Sequence, residues 1–174
     1  MVDFRRKRNR LEAPAYVGRR WYFVTICTAG RRTIFQDPEL VGRLLGELEK
    51  TCARHLFLVY AYCFMPDHLH VELVATDDQS NLPMMLRDFK GHAAAQARLM
   101  GVRGLWQKGY YDHVLRPGAN ENAVAWYIFN NPVRKNLVSD PRAWPHSGSW
   151  MFDWRKAVAP PEEFVPPWKR TVGE

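Results

Sequence analysis

A chain of 174 residues with 47% hydrophobic and 13% aromatic content carries enough apolar material for one packed domain, which excludes a disordered polymer. Its formal charge of +7 favours a polyanionic partner, nucleic acid ahead of an anionic membrane. Three cysteines without C-x-x-C spacing argue against a disulfide framework or a thiolate zinc site, and no apolar run reaches membrane-spanning length. These features predict a soluble cytoplasmic protein with no membrane partner, nucleoid-associated if nucleic acid is its ligand.

The charge is concentrated early: residues 1–35 hold nine Lys/Arg against two acids. Residues 1–18 read as a basic arm containing RRKRNR (5–10). Arg5, Arg6, Arg8, Arg19, Arg20 and Arg31 are candidate phosphate contacts, and Tyr16, Trp21, Tyr22 and Phe23 lie among them as stacking rings. A solvated basic tail is the plainer alternative.

WYFVTICTA (21–29) is aromatic and β-branched, hence a strand. Residues 37–55 have apolar side chains at 40, 41, 44, 45, 48 and 52, a helical period, with Asp37 as N-cap and Pro38 in the first turn. FLVYAYCFMP (57–66) and HLHVELVA (68–75) form a hairpin across a minimal link. Residues 82–100 read as a second helix. Residues 105–116 read as a fourth strand with Gly109 as a bulge, and 123–131 as a short helix that Pro132 bends or ends. The Pro- and Trp-rich remainder reads as a peripheral wrap and tail.

The order β-α-β-β-α-β predicts an α+β, ferredoxin-like (RRM-like) fold. Four antiparallel strands carry both main helices on one face, and a short C-terminal helix is appended. The expected division is an arm at 1–18, a single catalytic domain at 19–150 and a tail at 151–174. The sheet face away from the helices is expected to stay open for a site.

MPDHLHVEL (65–73) puts His68 and His70 on one face of a strand, their Cα atoms roughly 6.5–7 Å apart, so both imidazoles can converge on one metal ion. Glu72 shares that face, and a His/His/Glu site is one reading; a pair of hydrogen-bonded surface histidines is another. In YIFNN, Tyr127 and Asn131 lie one helical turn apart. The first offers a phenol nucleophile and the second a neutral oxygen ligand, unless they only pack and cap the helix. Tyr110 and Tyr111 are the rival phenols, one of them facing the core by alternation, and neither has a ligand at matching spacing. His113 either faces DNA or packs. Lys90, Lys108 and Arg116 suit phosphate contacts.

MPDHLHVEL, WQKGYYDHVLR and YIFNNPV, in that order and spacing, resemble the single-tyrosine HUH transposases, and among them the REP-associated tyrosine transposases of bacteria. The resemblance spans about residues 16–150. It implies a divalent metal, Mg²⁺ or Mn²⁺, on His68, His70 and Asn131, with Tyr127 attacking a DNA phosphate to give a 5′-phosphotyrosine link. It implies single-stranded DNA hairpins as partners and a monomer or homodimer. The position of Glu72 is usually apolar in such families, so a carboxylate there either adds a ligand or competes with Asn131. Two other classes fit parts of the sequence: a non-catalytic nucleic-acid-binding module, and a metal-dependent hydrolase using His68, His70 and Glu72.

Overall fold

The computed structural model describes residues 13–116 and 119–166. Its elements in chain order are β1 (Trp21–Cys27), α1 (Pro38–His55), β2 (Phe57–Met65), β3 (His68–Ala75), α2 (Leu82–Leu99), β4 (Tyr111–Leu115), α3 (Glu121–Phe129), α4 (Asn131–Arg134) and β5 (Ser147–Gly148). The sheet is antiparallel throughout, in the order β4-β1-β3-β2-β5. It therefore has five strands where the sequence predicts four. The extra pairing is short, with Ser147 and Gly148 beside Cys63 and Tyr62. Gly148 permits it: a Cβ there would lie 2.4 Å from the Tyr62 hydroxyl.

Asp37 caps α1 as its sequence predicts. One carboxylate oxygen accepts the backbone N–H groups of Glu39 and Leu40 at 2.9 and 3.4 Å. The helix ends where Leu56 turns left-handed at φ 61°. Asn81 caps α2 by accepting the Met84 N–H. Both helices cover one sheet face, and Tyr22, Val24, Ile26, Leu69, Val71 and Leu73 are buried beneath them. That assigns the even-numbered side chains of β1 and the odd-numbered ones of β3 to the helical core.

The opposite face is covered as well, against expectation. Phe23, Ala61, Cys63 and Met65 form a second core with α3 and Trp154. A bulge between Val59 and Ala61 is the cause on β2: Tyr60 is the extra residue, and beyond it the odd positions switch from the first face to the second. α3 is apolar all round, since Ala123 through Phe129 are all buried. It needs a cover on its outer side, and Trp154 supplies it by stacking on Phe129 with ring centroids 4.1 Å apart. The segment at 151–166, which reads as a tail in sequence, thus contributes to this second core.

The fourth strand is shorter than predicted. Only Tyr111–Leu115 pair with β1, while Trp106 forms an isolated bridge to Thr28. Gly109 at φ 81° breaks the extended chain before the strand instead of bulging within it. The Lys90 ammonium fixes this loop by donating to the carbonyls of Gln107 and Gly109 at 2.9 and 2.6 Å.

Candidate active site on the second sheet face

The histidines sit where the hairpin turn meets β1. His68 is opposite Cys27 and His70 opposite Thr25. Pro66 and Asp67 form the turn, and their carbonyls accept N–H groups from Phe35 and Thr28 at 3.0 Å, so the segment between β1 and α1 holds the turn in place.

Each imidazole is oriented by a partner on its inner nitrogen. Asp67 Oδ1 lies 2.6 Å from His68 Nδ1, and Thr25 Oγ1 lies 2.8 Å from His70 Nδ1. Arg31 holds the other oxygen of Asp67 at 3.3 Å. The two outer nitrogens then face each other, His68 Nε2 to His70 Nε2 at 3.0 Å. Two ligand nitrogens about 2.1 Å from one ion, at a right angle to each other, are separated by this much. Burial pushes the His68 pKa below its ordinary value against the opposing pull of Asp67, favouring the neutral, ligand-competent ring. The donor set and its outer partners therefore suit a divalent ion.

Tyr127 is brought to the same place. Its ring centroid is 6.5 Å from that of His70 and 5.8 Å from that of Phe23, on which His70 stacks. It is only 6% exposed. Burial pushes its phenol pKa up, while the charges of Arg134 and Lys135 pull it down. Phe164 closes the outer side, 5.5 Å ring to ring.

Asn131 follows one turn later. Pro132 has no N–H for the Ile128 carbonyl, and the Asn131 side-chain amide takes that place, donating to Tyr127 O at 2.8 Å and Ile128 O at 3.4 Å. The amide nitrogen is thereby committed to the helix, and the oxygen is the atom left to coordinate. The chain then resumes its helical path through α4, with Arg134 N–H on Asn130 O at 3.0 Å. Pro132 interrupts the hydrogen bonding here without ending the helical direction.

Glu72 does not join the pair: among the described residues no third His, Cys, Asp or Glu gathers with them into a metal-binding group. It lies fully buried opposite Phe23 and Ala61, and neither carboxyl oxygen meets a hydrogen-bond donor among the described residues. Burial, reinforced by Glu121, raises its pKa to about 9. Below about 4.5 the folded and unfolded chains are both protonated. From there to about 9 only the folded chain keeps the proton, so stability falls by up to about 1.4 kcal/mol per pH unit. Glu72→Gln removes this dependence. The expected result is a melting temperature close to that of the wild type at pH 5 and clearly above it at pH 8, read by circular dichroism.

The remaining candidates divide by position. Thr28 bridges Trp106, which places Arg31 and the exposed Lys108 at the histidine end of the sheet. Arg19, Arg20 and Arg116 flank Trp21 and Leu115 at the other end of β1, about 20 Å away. Arg19 pairs with Asp78 and donates to the Thr76 carbonyl, and Arg20 donates to the Val17 carbonyl. Lys90 holds the 107–109 loop. Arg5, Arg6 and Arg8 lie outside the described residues. Of the rival phenols, Tyr110 packs against the helical core and Tyr111 is 62% exposed on the edge strand; His113 is half-buried opposite Phe23.

Sequence reading passed over Thr25, Asp67, Arg134, Lys135 and Phe164. Asp67 was visible as the neighbour of His68, and Arg134 as a residue seven after Tyr127, two turns along one helical face. Thr25 and Phe164 reach the site only through tertiary structure.

Residues 17–131 match the family model described as "Transposase IS200 like". A Haemophilus influenzae protein assigned to the REP-associated tyrosine transposases is 23% identical over 150 residues, covering 80% of this chain and 84% of that one. The REP-associated tyrosine transposase of Escherichia coli K12 is 23% identical over 106 residues, 56% of this chain and 62% of its own. The solved structure of a REP-associated tyrosine transposase bound to a REP hairpin superposes with a TM-score of 0.67 at 20% identity, covering 95% of this chain and all of the other.

Proposed function

The chain belongs to the IS200-like transposase family of DNA-processing enzymes, and from that premise we propose that it cuts and rejoins single-stranded DNA at hairpins through a covalent link to Tyr127. The observation that carries this reading is the meeting of two elements distant in sequence. The converging Nε2 atoms of His68 and His70 lie on β3, and Tyr127 on α3 packs against His70. The hairpin as substrate class is taken from the relative solved with one.

In this mechanism Tyr127 Oη attacks the phosphorus of a phosphodiester. The Oη–P bond forms as the P–O3′ bond breaks, and the proton lost by the phenol balances the one gained by the departing 3′-hydroxyl. The new phosphodiester keeps the bond energy, so attack by a second 3′-hydroxyl reseals DNA and frees the tyrosine. His68, His70 and the Asn131 oxygen would hold a divalent ion, Mg²⁺ or Mn²⁺. When bound, the ion supplies Lewis-acid polarisation of the scissile phosphate. Asp67 and Thr25 fix both imidazoles with Nε2 outward, and Phe23 supports the His70 ring. Phe23 and Phe164 confine the phenol, so its approach to phosphorus is restricted to a narrow range. The catalytic unit is taken as residues 19–150, with 1–18 as a basic arm and 151–174 as a C-terminal segment whose Phe164 reaches the tyrosine.

A single-stranded palindrome incubated with Mg²⁺ or Mn²⁺ tests the reading: a covalent protein–DNA species is expected. Binding without cutting in either ion would favour a non-catalytic binding module instead. A second result concerns the outer partner of His68. Asp67→Ala is expected to weaken Mn²⁺ binding about 10- to 100-fold, measured by titration calorimetry, with the fold unchanged by circular dichroism.

A further inference from the structure

We propose that Arg134, with Lys135 beside it, forms a phosphate clamp at the nucleophile and grips the non-bridging oxygens of the scissile phosphate; the inference rests on the Tyr127 reading above. The Arg134 guanidinium carbon lies 4.5 Å from the centre of the Tyr127 ring. A guanidinium stacked on a ring presents its face to the π-system and keeps its edge N–H groups free, the geometry suited to two oxygens of one phosphate. Tyr127, Asn131 and Arg134 are spaced by four and three residues, so nucleophile, amide and guanidinium form one stripe along the α3–α4 path.

Both cations are exposed, and among the described residues neither Arg134 nor Lys135 makes a salt bridge to a carboxylate. Other basic side chains near this end are occupied: Arg31 holds Asp67 and Lys90 holds two carbonyls. The charge of Lys135 acts on both His68 and Tyr127, so it stands within reach of the metal-poised nitrogens and the phenol together. Two uncompensated positive charges at a buried phenol give an anion a place beside the attacking oxygen. As Oη approaches phosphorus, charge builds on the non-bridging oxygens, and donors already aimed there stabilise it.

The test is single-turnover cleavage of a single-stranded palindrome in Mn²⁺ by wild type, Arg134→Gln and Arg134→Lys, with hairpin affinity and melting temperature measured alongside. Arg134→Gln is expected to cleave about 10²- to 10³-fold more slowly while binding the hairpin within a few-fold and melting as the wild type does. Arg134→Lys should recover part of the rate. A substrate with a neutral methylphosphonate at the scissile position should erase the difference between wild type and Arg134→Gln, which a merely structural role would not do. Arg134→Gln cleaving at the wild-type rate, or an undiminished deficit on the methylphosphonate, overturns the clamp while leaving Tyr127 in place. Failure of the wild type to form any adduct removes the reading on which the clamp rests, and the clamp with it.

Discussion

Tyr127→Phe is expected to abolish strand cleavage, lowering the single-turnover rate by about 10⁴-fold or more, because no other phenol can take its place. Tyr111 is on the edge strand and largely exposed, and Tyr110 packs against the opposite core. The substitution removes one oxygen and keeps the ring, so the contacts to Phe23, His70 and Phe164 persist. Hairpin affinity should stay within about threefold, since stacking and phosphate contacts survive the loss of a hydroxyl. Denaturing gels of a labelled palindrome measure the first quantity and a filter-binding assay the second. If Tyr127→Phe cleaved normally, the phosphotyrosine mechanism would be wrong.

The second large effect concerns the histidines. His68→Ala and His70→Ala are each expected to weaken Mn²⁺ binding by about 100-fold or more, beyond the loss expected for their outer partners, and to stop cleavage with it. The two variants should differ in stability. His70 is 7% exposed and stacked on Phe23, so truncation leaves a cavity in the second core, at a cost of about 2–4 kcal/mol. His68 begins β3 and is half-buried, and its removal should hardly change the melting temperature. Paramagnetic resonance of bound Mn²⁺ separates the effects: both variants lose the ion, and only His70→Ala melts early. Retention of the ion by both variants would remove the histidines as ligands.

The contrast between those variants marks what one sequence can and cannot reveal. The two-residue alternation of β3 placed His68 and His70 together and Leu69, Val71 and Leu73 under the helices, and the structure has both. Asp37 and Pro38 marked the start of α1 because a cap is a local interaction. The covered second face was hidden for two reasons. The bulge at Tyr60 changes which side chains of β2 point where, and a bulge leaves no signature in an aromatic run such as FLVYAYCFM. Trp154 lies far along a Pro-rich stretch with no periodicity to read. Residues 105–110 looked like strand because Trp, Tyr and Gln suit one, but Gly109 at φ 81° and Lys90 hold a loop there instead.

Pro132 misled in the other direction. Loss of its N–H predicts a helix end, yet Asn131 supplies a side-chain donor in place of the missing one, and the path continues to Arg134. Glu72 was legible as a face-sharing carboxylate but not as a buried, protonated one. That difference is set by α3 and Phe23 above and beside it, and both are remote in sequence.

One measurement bears most directly on the central claim. Protein trapped on a single-stranded palindrome in Mn²⁺ can be digested with protease and nuclease and the modified peptide sequenced by mass spectrometry. The account predicts a nucleotide 5′-phosphate esterified to Tyr127 within the peptide that spans α3. An adduct on Tyr111 or on any other side chain, or cleavage with no covalent species at all, would contradict it.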